Sequence, residues 1–224
     1  MKGISAVVFD AYGTLFNLGA MAELARASLG DRAEALNDLW RRKQLEYTWL
    51  RSLTGQHADF LQVTGEALDY SLESLGVNAP SLRARLAGAY LTPTAYPEAA
   101  GMLGTLKGAG LGRAILSNGA PAMLASGAAA AGLSPLLDAI LSVESVKVFK
   151  PHPSVYKLAC EHYKLPPDKI AFVSSNGWDV AGAASFGFRV IWVNRAGLPQ
   201  ERLPSSPEAV VPDLSTLPAL LGLI

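Results

Sequence analysis

The sequence predicts an α/β protein: a parallel sheet covered by helices on both faces, with a helical insert after its first strand. Two patterns carry this reading. Short β-branched runs alternate with helical patterns through most of the chain. One long stretch, residues 17–92, keeps a helical pattern and offers no convincing strand. With 224 residues, 50% of them hydrophobic, the chain can bury the core of one or two domains.

Residues 4–9 (ISAVVF) read as a buried strand that ends at Asp10 and turns through Ala11, Tyr12, Gly13 and Thr14. Helical segments follow at 20–29, 33–53, 57–75 and 81–91. In the second, Leu36, Leu39, Trp40, Lys43, Tyr47 and Leu50 recur at three- and four-residue steps with charges between them. Asn78-Ala79-Pro80 and Thr92-Pro93-Thr94 are breaks. Strands then fit 112–116, 139–142, 170–174 and 188–193, and helices fit 97–108, 121–131, 153–163 and 179–186. The expected division is a core of residues 1–16 and 93–224, with 17–92 as a cap above the strand ends.

Composition removes several classes of function. Lys plus Arg and Asp plus Glu both number 19, so no broad basic field awaits nucleic acid or an anionic membrane. The single cysteine, Cys160, permits no intrachain disulfide and fits a reducing, cytoplasmic setting. The apolar run before Asp10 is too short for a signal-peptide core, and no stretch is long enough to span a membrane. GAGLG at 108–112 leads from helix into strand, the reverse of a dinucleotide loop. His57, His152 and His162 lack metal-ligand spacing, and no G-x-S-x-G elbow marks a serine hydrolase.

Four polar clusters fall where the expected strands stop. They are Asp10 with Thr14; Ser117-Asn118-Gly119; Lys150 in KVFKP; and Ser174-Ser175-Asn176-Gly177-Trp178-Asp179. Any one of them is equally well a cap for the next helix or turn. Parallel strands bring all four to one rim, where ligands gather in such sheets.

In this order, D-x-Y-G-T, S-N-G, K-P and S-S-N-x-W-D resemble the haloacid dehalogenase superfamily, and more narrowly the L-2-haloacid dehalogenases. The stretch LWRRKQLEYTWLRSL, residues 39–53, is similar to that family's first long cap helix. The resemblance covers nearly the whole chain and implies a Rossmann-like core with a helical cap. It also implies hydrolysis of short L-2-haloacids to D-2-hydroxyacids and halide, with no metal and no other cofactor. A homodimer is a further implication.

The resemblance assigns roles residue by residue. Asp10 is the nucleophile, because a covalent ester divides carbon–halogen hydrolysis into two easier steps. Lys150 is its counterion. Arg41 accepts the halide, with Asn118 as a further donor, and Ser117 with nearby backbone N–H groups holds the substrate carboxylate. The neighbouring Arg42 competes with Arg41; the family pattern of Arg after Trp favours Arg41. Thr14, Ser174 and Asn176 orient Asp10, Asp179 partners the hydrolytic water, and Tyr156 matches an active-site tyrosine. Ala11, Tyr12, Leu45, Phe60 and Trp178 match substrate-contact positions, although Leu45, Phe60 and Trp178 also fit ordinary packing.

Position 12 separates this reading from its nearest rival, a magnesium-dependent phosphatase of the same superfamily. Such an enzyme needs an acid at 12 to protonate its leaving group and acids in the fourth cluster for the metal. Here stand Tyr12 and Ser175, and a hard cation is poorly served by what remains. Halide leaves without a proton, so an aromatic ring that excludes water suits the position. A fluoroacetate-preferring relative is a narrower variant. A binding protein that keeps the fold is a different class, and has no need of Asp10, Lys150 and Arg41 together.

Overall fold

The computed structural model describes all 224 residues. The chain begins with β1 (Ala6–Phe9), every residue of it fully buried, and reaches β2 (Phe16–Asn17) after a tight turn. Four helices follow: α1 (Gly19–Leu29), α2 (Arg32–Thr54), α3 (Phe60–Ser74) and α4 (Pro80–Ala89). The chain then returns through β3 (Thr94–Ala95), α5 (Ala99–Gly108), β4 (Gly112–Ser117), α6 (Pro121–Ala130) and β5 (Ala139–Ser142). The rest is α7 (Pro153–Tyr163), β6 (Ile170–Ser174), α8 (Gly177–Phe186), β7 (Arg189–Val193), β8 (Ala209–Val211) and α9 (Leu217–Leu220).

The main sheet has six parallel strands in the order β5-β4-β1-β6-β7-β8. β1 is central because AVVF is apolar and β-branched enough to be buried on both faces. Phe9 pairs with Ile115 of β4 on one side and Val173 of β6 on the other. The strand order reverses beside β1, so a crevice opens at its carboxyl end. Asp10 is the next residue.

The four helices of the insert leave and rejoin the sheet through one short ladder, in which Phe16 pairs with Ala95 and Asn17 with Thr94. α2 is the long one, 23 residues or about 34 Å. It ends where Gly55 takes the left-handed conformation (φ +67°). α3 begins at Asp59, whose carboxylate accepts the Gln62 N–H at 2.9 Å. The two helices bury Leu36 and Trp40 against Val63, Ala67 and Leu68, and the Trp40 indole donates to the Thr64 carbonyl at 2.9 Å.

Two features depart from the sequence reading. The short ladder of β2 and β3 closes the base of the insert. β8 also extends the sheet past the last expected strand, pairing in parallel with β7 from Ile191↔Ala209 to Val193↔Val211. Both are too short to show a period, and β8 is an edge strand with Val210 half exposed.

Candidate active site

The turn after β1 fixes the Asp10 carboxylate. The Asp10 N–H donates to the Val173 carbonyl at 2.9 Å, which extends the ladder one residue past β1. The Ala11 carbonyl then accepts N–H groups from Thr14, Leu15 and Phe16, so the chain doubles back at once. Gly13 makes this possible: its φ is +87°, and a Cβ there would lie 3.1 Å from Ser175 Oγ. The turn brings Thr14 Oγ1 to 3.1 Å from Asp10 Oδ2 as donor, while the same oxygen accepts the Ser175 N–H at 2.9 Å.

Two other chain segments complete the shell around Asp10. Asn176, at the start of α8, donates from Nδ2 to Asp10 Oδ2 at 2.9 Å. Lys150 donates from Nζ to Asp10 Oδ1 at 3.1 Å and to Asp179 Oδ2 at 2.8 Å. The Lys150 backbone is pinned as well, its N–H donating to Asn118 Oδ1 at 3.0 Å. Asp10 keeps 8% of its surface exposed, Lys150 1% and Asp179 none. One ammonium therefore bridges two carboxylates in a site almost closed to water. Burial pushes the Lys150 pKa down, but Asp10 and Asp179 outweigh it and hold the ammonium above its ordinary value. Burial, reinforced by the Asp10 charge, raises the Asp179 carboxyl against the opposing pull of Lys150.

Tyr156 stands behind Asp179. Its hydroxyl donates to Asp179 Oδ1 at 2.8 Å, and burial first, then the Asp179 charge, keeps that phenol protonated. Gly182 permits the contact: a Cβ there would sit 2.6 Å from the Tyr156 hydroxyl and 2.5 Å from Pro151 Cβ. Ser174 makes no bond to Asp10; its Oγ accepts the Asn176 N–H at 3.1 Å and so shapes the turn that carries Asn176. Ser117 behaves in the same way, accepting the Gly119 N–H at 3.1 Å. Both are buried at strand ends.

The insert supplies the other wall. Arg41, half-buried on α2, points into the crevice; Arg42 is exposed. Arg41 Nη2 donates to Asn176 Oδ1 at 3.1 Å, so Asn176 touches both Arg41 and Asp10. Arg41 Nη1 donates to Gln44 Oε1 at 2.7 Å. Tyr12 packs among Phe16, Phe60 and Tyr90 with ring centroids 5.2–6.4 Å apart, and its hydroxyl donates to the Tyr90 carbonyl at 3.1 Å. Burial, then Tyr90 and Asp10, raises its pKa, so Tyr12 is a protonated wall. Phe60 is buried and Leu45 half-buried one helical turn after Arg41. Trp178 meets Trp49 of α2 edge-on, with centroids 5.6 Å apart. Farther along the seam the Phe149 N–H donates to Ser52 Oγ at 3.1 Å, and His57 Nε2 lies 3.0 Å from Glu144 Oε1.

Several of these groups escape sequence reasoning. Thr64, Tyr90 and His57 carry no motif, and Gln44, Trp49 and Ser52 fall within the 39–53 stretch without being singled out in it. Gln44 alone has a signal, its three-residue spacing from Arg41 on the same helix.

Comparison with known proteins agrees with this geometry. The family model for haloacid dehalogenase-like hydrolases matches residues 4–187. The chain is 46% identical to (S)-2-haloacid dehalogenase 1 of Pseudomonas sp. (strain CBS-3), over 99% of this chain and 98% of that protein. It superposes with a TM-score of 0.88 on L-2-haloacid dehalogenase from Xanthobacter autotrophicus solved with chloropropionic acid covalently bound. That match is 44% identical and covers 97% of this chain and 98% of the other. A dehalogenase solved with an intermediate complex gives a TM-score of 0.96 at 42% identity, covering 99% and 98% of the two chains. The chain belongs to the haloacid dehalogenase-like hydrolases and, among them, to the (S)-2-haloacid dehalogenase family.

Proposed function

We propose that this chain hydrolyses short L-2-haloacids to D-2-hydroxyacids and halide through an ester on Asp10. The observation that carries the reading is Asn176, which bonds the Asp10 carboxylate with its amide nitrogen and the Arg41 guanidinium with its amide oxygen. A nucleophile and an anion acceptor thus face one space.

An Asp10 carboxylate oxygen attacks C2 from the side opposite the halogen. The new C–O bond forms as the carbon–halogen bond breaks, and the electron pair leaves on the halide toward Arg41 and Asn118. C2 inverts once. Water then attacks the Asp10 carbonyl carbon; the tetrahedral adduct collapses by breaking the acyl C–O bond, the departing alkoxide takes the proton of the new carboxyl, and Asp10 is left ionised, so the hydroxyl oxygen of the product comes from Asp10. Asp179 takes the water's proton; a carboxyl whose pKa is raised accepts protons more readily. Tyr156 holds Asp179 in place.

The substrate's carboxylate must approach an ionised Asp10. At about 4 Å and an effective dielectric near 20, that repulsion is roughly 4 kcal/mol, about a thousandfold in rate. Lys150 and Arg41 offset it, and Ser117 with the N–H groups before α6 receives the substrate carboxylate. Leu45, Phe60, Trp178, Ala11 and Tyr12 line the apolar side.

The reaction runs without metal. Positions 12 and 175 carry no acid, and the two carboxylates that remain share the Lys150 ammonium. In this reading residues 17–92 act as the cap above the strand ends. The half-buried free Cys160 fits a cytoplasmic setting. A homodimer is the assembly implied by the family resemblance.

Halide release from the two enantiomers of 2-chloropropionate, in excess EDTA, tests the proposal. Release from the L form alone is expected. No release from either, with p-nitrophenyl phosphate cleaved once Mg²⁺ is added, would move the protein to the phosphatases. Turnover confined to fluoroacetate would narrow the substrate class.

A further inference from the structure

Gln44 lies on α2 one turn past Arg41, with none of its surface exposed. A fully buried primary amide costs free energy unless its groups are matched. Here they are matched in only one orientation. The Thr64 hydroxyl donates its single proton to the Phe60 carbonyl at 2.6 Å. Thr64 Oγ1 can then only accept, and it accepts from Gln44 Nε2 at 2.7 Å. That fixes Gln44 Oε1 toward Arg41 Nη1, 2.7 Å away, with the Tyr90 hydroxyl donating to the same oxygen at 3.4 Å.

Two consequences follow for Arg41. Its fork is held at both ends, by Gln44 Oε1 and by Asn176 Oδ1, which leaves its remaining N–H groups free for an anion. Both acceptors are neutral amides. A carboxylate at 44 would still accept from the fork, but it would cancel the charge and set an oxygen against Thr64 Oγ1.

We infer that Gln44 is a positioning residue: it aims the Arg41 guanidinium at the departing halide while leaving its positive charge uncompensated. Thr64 is the anchor that sets the Gln44 amide. The inference rests on Arg41 as halide acceptor, so its effects depend on the halogen. Chloride, the poorer leaving group, needs Arg41 more than bromide does.

The experiment compares Gln44→Glu, Gln44→Leu and Thr64→Val on L-2-chloro- and L-2-bromopropionate, with bromide inhibition as a second readout and Arg41→Met as control. For Gln44→Glu, kcat on the chloro acid falls about a hundredfold and on the bromo acid about tenfold, and bromide inhibits less. Gln44→Leu and Thr64→Val show the same halogen bias with smaller losses. Equal losses on both acids with unchanged bromide inhibition would reduce Gln44 to a packing residue and overturn the inference. So would full activity of Gln44→Glu beside an inactive Arg41→Met. An Arg41→Met protein with full activity would instead remove the halide role of Arg41, and the inference with it.

Discussion

The rim of the sheet and the face of the helical insert meet the same crevice but are built differently. The rim concentrates charge: Asp10, Lys150 and Asp179 form one buried ionic chain, each member anchored by the backbone or by a neighbouring side chain. The insert brings a single cation, Arg41, and surrounds it with the neutral groups of Gln44, Thr64 and Tyr90. The difference teaches how the work is divided. On the proposed reaction, the nucleophile needs a counterion that keeps it charged, which the ionic rim would supply. The leaving-group side would need an uncompensated positive charge, which the otherwise neutral face of the insert leaves in place. Asn176 joins the two.

This contrast can be broken by substitution, and the rim comes first. Asp10→Asn should lower turnover by more than about a thousandfold while the fold survives; a loss of less than about tenfold with both halogens would remove Asp10 as nucleophile. Lys150→Met leaves two buried carboxylates with no cation. It should cost about 3–5 kcal/mol of stability and nearly all activity.

The same lysine sets a pH dependence. Its folded pKa is raised, so its contribution to stability is complete below about 10.5 and is lost as pH rises through the raised value. Thermal melting from pH 8 to 11 should show this alkaline loss in the wild type and not in Lys150→Met. Parallel curves would show that the ion chain does not govern alkaline stability.

Asp179→Asn separates the two chemical steps. Asp179 accepts from Lys150 with one oxygen and from Tyr156 with the other, so the amide loses a buried charge-assisted bond and the variant should be less stable than the parent but still folded. Rapid-mixing assays should give one halide per site and then a stall, as the ester waits for water. Steady turnover at the parental rate would free Asp179 from the water step. The smallest effects belong to the seam. Ser52→Ala and His57→Phe each remove one partly buried contact between insert and core, worth about 1 kcal/mol. They should raise KM more than they lower kcat. Loss confined to kcat would place these contacts in the chemistry.

Much of the rim was legible because strand ends are visible in sequence. AVVF, GRAIL and IAFVS each stop at a polar cluster, and a parallel sheet puts such clusters on one edge; Lys150 instead reaches the rim on the connection that follows AILS and the turn Val143–Ser145. α2 was legible from its periodicity, and the structure separates Arg41 from Arg42 by direction alone. What was not legible depends on pairings across long sequence separations. Ser174 looked like a ligand of Asp10 and instead holds Asn176, since a hydroxyl two residues before a backbone N–H can close a local turn. Gln44, Thr64 and Tyr90 meet only after α2, α3 and the end of α4 have packed. β8 is three residues long and partly exposed, too little for a period-two signal.

The most direct test of the covalent route is a single turnover, with enzyme in excess over L-2-chloropropionate, in water carrying heavy oxygen. Mass spectrometry of the hydroxyacid and of the peptide containing Asp10 follows. An ester route puts the label in Asp10 and leaves the product unlabelled. Label in the product, with Asp10 unlabelled, would mean that water attacks the carbon directly and that Asp10 is no nucleophile.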